Sequence, residues 1–105
     1  MLGRRSTPRR SERVRDLAYL AFVHTLPCVA LNVPGHRCAG PIEADHMGPR
    51  PLGRKADART AAPICQLGHI QRTDFSGPFR VFDQDAVRRF LADSIASTQA
   101  AWERR

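Results

Sequence analysis

Three cysteines, Cys28, Cys38 and Cys65, set the main limit on how this chain folds. A sequence of 105 residues supports one domain with a modest core, and domains of this size often recruit a metal or disulfides. No apolar run follows the positive charges at the start, and no apolar stretch approaches the length of about 18 residues that spans a membrane. We therefore expect a reducing, cytoplasmic location, where clustered cysteines are metal ligands rather than disulfides.

The two ends of the chain predict different structures. Residues 1–15 carry six arginines among small polar residues and predict a basic flexible tail, and residues 16–105 predict a single domain. A helix is expected from Asp16, as N-cap, to Thr25, with Pro27 ending the segment. A second, longer helix is expected over about residues 84–103, capped by Asp83 or Asp85, because its apolar residues recur at helical spacing.

The middle of the chain predicts short strands and a short helix. Two strand-like pieces lie between Cys28 and Asp45, around the turn residues "NVPGH". A loop rich in Gly, Pro and Arg follows over residues 47–60, and a short helix is expected from about Pro63 or Ile64, through His69, towards Thr73. Together these elements predict a small α+β protein.

The charge of the chain indicates a polyanionic partner. The net charge is +7, and all but one of the 17 basic residues are arginine, whose planar guanidinium suits phosphate. Four basic residues of the 47–60 loop are candidates for contacts to a DNA backbone: Arg50, Arg54, Lys55 and Arg59. A solvated, charged loop with no role in binding nucleic acid is the alternative.

The three cysteines are candidate zinc ligands. Zinc in structural sites is tetrahedral and is held by Cys and His, so a fourth ligand is needed. His69, four residues after Cys65, is one candidate, and His36, two residues before Cys38, is the other. The alternative is that the cysteines are ordinary small buried residues.

The dipeptide Asp45-His46 indicates a second kind of chemistry. Neighbouring residues on a strand point to opposite sides, so the two side chains can do separate jobs. A carboxylate can hold a hard divalent cation, and a neutral imidazole can take a proton from water. His69 could complete this cation site from the opposite wall. Hydrolysis of a phosphodiester needs a base, a cation and positive side chains that position the backbone.

The segment "IEADH", the loop and "PICQLGH" resemble the HNH endonucleases of the ββα-metal (His-Me finger) group, especially small bacterial and phage members. The resemblance covers residues 28–73, under half of the chain. It implies a treble-clef-like ββα-metal centre with flanking N-terminal and C-terminal helices. By match to the family motif, His46 is the general base of a DNA-cleaving hydrolase. The same match implies that Asp45 and His69 are ligands of a divalent cation, with Mg²⁺ expected, and that a structural Zn²⁺ lies beside it.

Three positions depart from the family pattern. Many members carry C-x-x-C-H where this chain has Gly68 before His69, which removes one expected zinc ligand. Thr60 stands near the position of the middle Asn or His of the motif, and Asp57 is the acid of the loop. These departures leave open whether His69 serves the catalytic cation or the zinc. They also support a rival interpretation, a zinc-stapled DNA-binding module without catalysis. A basic adaptor that binds no metal is a third possibility.

Overall fold

The computed structural model describes residues 10–48 and 57–105. Within these two ranges, three α-helices and two strands follow one another as α1 (Arg10–Val23), β1 (Ile42–His46), β2 (Ala61–Cys65), α2 (Gln66–Asp74) and α3 (Gln84–Arg104). Three short 3₁₀ turns lie between them, at Val29–Asn32, Ala58–Thr60 and Gly77–Val81. The expected α+β class is confirmed, and no described helix has the length and apolar character needed to cross a bilayer.

The sheet consists of β1 and β2 alone within the described residues. The strands are antiparallel, with Ile42 opposite Cys65 and His46 opposite Ala61. Met47 extends the pairing because its backbone N–H donates to the carbonyl of Thr60 at 3.0 Å. Because α2 begins directly after β2, the two strands and the helix form one unit, which carries Asp45, His46, Cys65 and His69.

The strand pairing corrects the prediction for residues 28–45. Instead of a first strand after Cys28, the chain forms a 3₁₀ turn at Val29–Asn32, and β1 pairs with a segment beyond the long loop. The intervening residues cannot form a ladder readily, because Gly35 and Gly40 have φ of +85° and +81° and each is next to a proline. The first of the two expected strand-like pieces is therefore wrong, and the second is present as β1.

Helix α2 begins later than predicted. Residues 61–65, which include Pro63 and Ile64, form β2 and are all buried, and the helix starts at Gln66. Ala62 precedes a proline, which disfavours helical backbone at that residue, and pairing with β1 favours the extended form. The thiol of Cys65 caps the helix by accepting a hydrogen bond from the N–H of Gly68 at 3.2 Å.

Helix α1 begins earlier than predicted. It starts at Arg10 rather than at Asp16, so residues 10–15 of the expected flexible tail are helical, and residues 1–9 lie outside the described part of the chain. Arginine and glutamate have high helix propensity, which allows the helix to extend beyond its buried residues. At the other end, Nδ1 of His24 donates to the carbonyl of Leu20 at 2.7 Å.

Two groups of buried residues hold the helices on the sheet. Tyr19 and Val23 of α1 pack on Ala61, with Trp102 of α3 against them. The larger group contains Ala62 and Ile64 of β2 and Phe79 of the third 3₁₀ turn, and the apolar residues of α3 cover it. Helix α3 is capped by Asp83, whose carboxylate accepts from the N–H of Ala86 at 2.8 Å, which settles the choice between Asp83 and Asp85.

Candidate metal centres

Four side chains from three parts of the chain converge beside the start of α2. Cys28 precedes the first 3₁₀ turn, His36 and Cys38 lie in the segment before β1, and Cys65 ends β2. Their ligand atoms all lie within 4.8 Å of one another, and none of the three cysteines forms a disulfide. This cluster can bind a metal such as zinc.

The distances from the imidazole of His36 to two of the thiols fit a tetrahedral ion. Nε2 of His36 lies 3.5 Å from Sγ of Cys38 and 3.4 Å from Sγ of Cys65. For Zn–S and Zn–N bonds of about 2.3 and 2.1 Å, tetrahedral ligands are separated by about 3.6 Å. The donor set of three sulfurs and one nitrogen is also the type that zinc prefers in structural sites. Of the two candidates for fourth ligand, His36 is the one that joins the thiols.

The thiols of the cluster differ in acidity. Burial and the neighbouring thiols of Cys28 and Cys65 raise the pKa of Cys38 to about 12. For Cys65, burial raises the pKa, but hydrogen bonds from the backbone of Ala39 and Gly68, with the contacts to His36 and Cys38, lower it overall to about 7. Negative charge on one sulfur therefore opposes ionisation of the next, and a bound cation would relieve that repulsion.

A second polar cluster connects β1 to α2. Glu43 and Asp45 are two residues apart on β1, so their side chains point to the same side of the strand. His69 and Arg72 of α2 contact them there. Nδ1 of His69 donates to Oε1 of Glu43 at 2.7 Å, and Nε2 of the same ring lies 3.6 Å from Oδ1 of Asp45. His69 is thus part of this second cluster and not of the cysteine cluster.

Asp45 is buried, and one of its carboxylate oxygens binds Arg72. Nε and Nη2 of Arg72 donate to Oδ2 at 2.8 and 2.7 Å, and the side chain of Asp45 is only 5% exposed. This leaves Oδ1 directed towards the ring of His69. Two ligand atoms about 2.1 Å from one cation lie about 3.0–3.6 Å apart for angles of about 90–120° at the ion. The separation of 3.6 Å is the upper limit of this range, so Asp45 and His69 are close enough to share one cation after a small approach of the two side chains.

His46 ends β1 as an exposed residue. Strand alternation puts its side chain on the other face from Asp45, although the two Cα atoms are only about 3.8 Å apart. Within the described residues no hydrogen bond to its ring is found. The structure therefore brings Asp45 and His69 together and leaves His46 open to solvent at the end of the same strand.

The loop between the strands is described only at its ends. The candidate DNA contacts Arg50, Arg54 and Lys55 lie outside the described residues. Arg59 is described, and its guanidinium carbon lies 4.8 Å from the ring centroid of Tyr19 and 5.4 Å from that of Trp102. Arg59 thus packs on aromatic rings, a structural role that its sequence position did not predict.

The other two loop positions also have local roles. The carboxylate of Asp57 accepts from the N–H of Arg59 at 2.9 Å and caps the second 3₁₀ turn. The hydroxyl of Thr60 donates to the carbonyl of Asp57 at 2.6 Å. Thr60 also lies tightly against Gly48, since a Cβ there would be 2.5 Å from its Cγ2. Both residues thereby fix the loop end that leads into β2.

Three residues of these clusters are not among those predicted from the sequence: Glu43, Arg72 and Gln71. Glu43 and Asp45 share a strand face, and Arg72 is one helical turn after His69, so the periods of strand and helix contained the signal. Gln71, whose Oε1 accepts from Nδ1 of His36 at 3.2 Å, gave no such signal because its partner lies 35 residues away.

No family model, curated protein or solved structure matches this sequence.

Proposed function

We propose that this protein is a metal-dependent endonuclease of the HNH, ββα-metal type that hydrolyses phosphodiester bonds in DNA. The observation that supports the proposal most directly is the approach of Asp45 and His69, with 3.6 Å between Oδ1 and Nε2. These residues lie on a strand–loop–strand–helix unit, in the order that the resemblance implies. The net charge of +7 suits a nucleic-acid substrate.

His46 acts in this proposal as the general base. Its exposed ring at the end of β1 accepts a proton from the water that attacks the phosphorus atom. A divalent cation at Asp45 and His69, with Mg²⁺ expected, would neutralise charge on the phosphate and on the departing oxygen. The products of this chemistry in the family are a 5′-phosphate and a 3′-hydroxyl.

Two neighbouring side chains, Glu43 and Arg72, orient the two proposed cation ligands. Glu43 accepts a hydrogen bond from Nδ1–H of His69, which leaves the lone pair of Nε2 directed at Asp45. Arg72 holds one oxygen of Asp45 and fixes the rotation of the carboxylate. Both ligands are therefore oriented before a cation binds. The cysteine cluster, with zinc bound, supports the start of α2 and hence the position of His69.

The rival proposal is a zinc-stapled DNA-binding module that lacks catalysis. The specific observation in its favour is the ion pair of Arg72 with Asp45, because a guanidinium at 2.7 Å already compensates the carboxylate charge. Thr60, in place of the middle Asn or His, is consistent with it. The two proposals differ in whether added cations produce cleavage.

A plasmid-nicking assay separates the proposals. Supercoiled DNA is incubated with the full chain and Mg²⁺ or Mn²⁺, with a chelator as control. His46→Ala should reduce the rate by at least about 100-fold and leave DNA binding in a gel shift unchanged. His24→Ala is the matched control, since His24 is exposed and bonds only locally to Leu20. Cleavage by the His46 variant at the normal rate would show that the base is wrongly assigned, and binding without any cleavage by the unaltered chain would establish the module.

A further inference from the structure

The environment of His36 contains a glutamine that selects which ring nitrogen faces the thiols. Oε1 of Gln71 lies 3.2 Å from Nδ1 of His36. An amide oxygen only accepts hydrogen bonds, so Nδ1 must carry the proton. The lone pair is then on Nε2, the atom that lies 3.5 Å from Sγ of Cys38 and 3.4 Å from Sγ of Cys65. A neutral imidazole with this tautomer is ready to bind a metal through Nε2.

Gly68 provides the space that the imidazole uses. A Cβ at Gly68 would lie 3.0 Å from Cγ1 of Ile64, 3.1 Å from Cε1 of His36 and 3.3 Å from Sγ of Cys65. All three distances are shorter than ordinary van der Waals contacts, so a side chain at this position would push the ring of His36, together with Ile64 and Cys65, out of place. The absence of a side chain at residue 68 therefore leaves room for the ring of His36 in the cluster.

Gly77 leaves the space that the side-chain amide of Gln71 occupies. Its φ is +55°, and a Cβ there would come within 2.5 Å of Nε2 of Gln71. A side chain at residue 77 would thus displace the amide that orients His36. The backbone N–H of Ser76 also donates to the carbonyl of Gln71 at 2.9 Å, which fixes the end of α2 against this turn.

We propose that Gln71 is a positioning residue of a Cys₃His zinc site formed by Cys28, His36, Cys38 and Cys65. Gln71 fixes His36 as the Nδ1–H tautomer, and Gly68 admits the ring as the fourth ligand in place of a side chain from α2. Four ligands close the tetrahedron, so the bound zinc is structural and has no open position for water. This inference holds whether or not the chain cleaves DNA.

Zinc affinity and the tautomer of His36 test the role of Gln71. The affinity of the full chain is measured by competition with a chromophoric chelator. Gln71→Ala should weaken zinc binding by about tenfold, and Gln71→Glu, which keeps an acceptor, should restore most of it. Gln84→Ala, at an exposed position of α3, is the control. ¹⁵N NMR of the unaltered zinc-bound protein should show a protonated Nδ1 and a metal-bound Nε2 on His36. A metal-bound Nδ1, or unchanged affinity in Gln71→Ala, would overturn the proposal.

A ligand exchange tests His36 and Gly68 together. His36→Ala should weaken zinc binding and change the visible spectrum of the Co²⁺-substituted protein, because one nitrogen ligand is lost. The double variant His36→Ala, Gly68→Cys should recover affinity and give the spectrum of a four-thiolate site. Loss of the ring frees space above residue 68, and the side chains of Ile64 and Cys65 then need to shift by only a few tenths of an ångström. If His36→Ala keeps both the affinity and the spectrum of the unaltered chain, His36 is not a ligand and the inference fails.

Discussion

Arg72 shows how a single residue links the two candidate roles of this chain. Its guanidinium binds Asp45 with two donors, and the two side chains are 20% and 5% exposed. Such a pair orients the carboxylate for a cation, yet it also compensates the charge that attracts the cation. The balance between these effects is a property of this one contact and can be measured.

Arg72→Ala is expected to destabilise the protein by about 3 kcal/mol, because it leaves the buried carboxylate of Asp45 without its partner. Arg89→Ala, at an exposed position of α3, should change stability by less than about 0.5 kcal/mol. Urea unfolding of the zinc-loaded protein measures both. Equal stabilities for the two variants would show that the ion pair contributes little to the fold.

At the scale of elements, Trp102 joins α3 to α1 and to the end of the loop before β2. Its ring meets Tyr19 and Phe22 of α1 edge-on, with centroids 5.1 and 5.4 Å apart, and the guanidinium of Arg105 lies 3.3 Å from its centroid. Arg59 packs beside the same rings. One side chain near the end of the longest helix therefore connects α1, the loop end before β2 and α3.

Trp102→Ala should cost about 2–3 kcal/mol, because a half-buried aromatic residue leaves a cavity that α1 and α3 cannot fill completely. The neighbouring Glu103→Ala, which is exposed, is the control and should be nearly neutral. Thermal unfolding followed by far-UV circular dichroism compares them. A melting temperature unchanged in the tryptophan variant would mean that α3 is held without this contact.

The elements with strong local signals were predictable from the sequence, and those set by distant partners were not. Helix α3 has apolar residues at helical spacing and a capping aspartate, and its observed range, Gln84–Arg104, matches the expectation closely. β1 was recognised from its alternation, but its partner was not, because β2 lies beyond a long loop and contains Pro63. Local patterns report what a segment can form, whereas the pairing depends on contacts that no short window contains.

The residues of the two clusters show the same contrast between local signals and contacts with distant partners. The cysteines and the acid–imidazole dipeptide were identifiable by residue type, and the expected meeting of Asp45 with His69 is present in the structure. Which histidine joins the thiols was open in the sequence, and only the folded segment before β1 brings His36 to them. The outer partners Glu43, Gln71 and Arg72 act through residues 26–35 positions away, a separation that spacing alone does not reveal.

For the whole molecule, the cysteine cluster makes stability depend on metal and on pH. A thiol must lose its proton to bind zinc, and the pKa of about 12 at Cys38 and about 7 at Cys65 means that zinc displaces protons near neutral pH. Zinc affinity should therefore rise from pH 6 to pH 8. Removing zinc should lower the melting temperature, because zinc binds the folded protein more tightly than the unfolded chain and so stabilises the fold. Calorimetric titration at the two pH values measures this, and an affinity independent of pH would contradict thiolate ligation.

The most direct test of the account is whether Asp45 and His69 bind one cation. Mn²⁺ is added to the zinc-loaded protein, and NMR follows the imidazole signals of His69 and the backbone amides around Asp45. We expect strong paramagnetic broadening at both sites, much weaker broadening at His24, and loss of the effect in Asp45→Asn. Broadening that is absent at His69, or equal at His24, would contradict a shared cation site and with it the proposed nuclease.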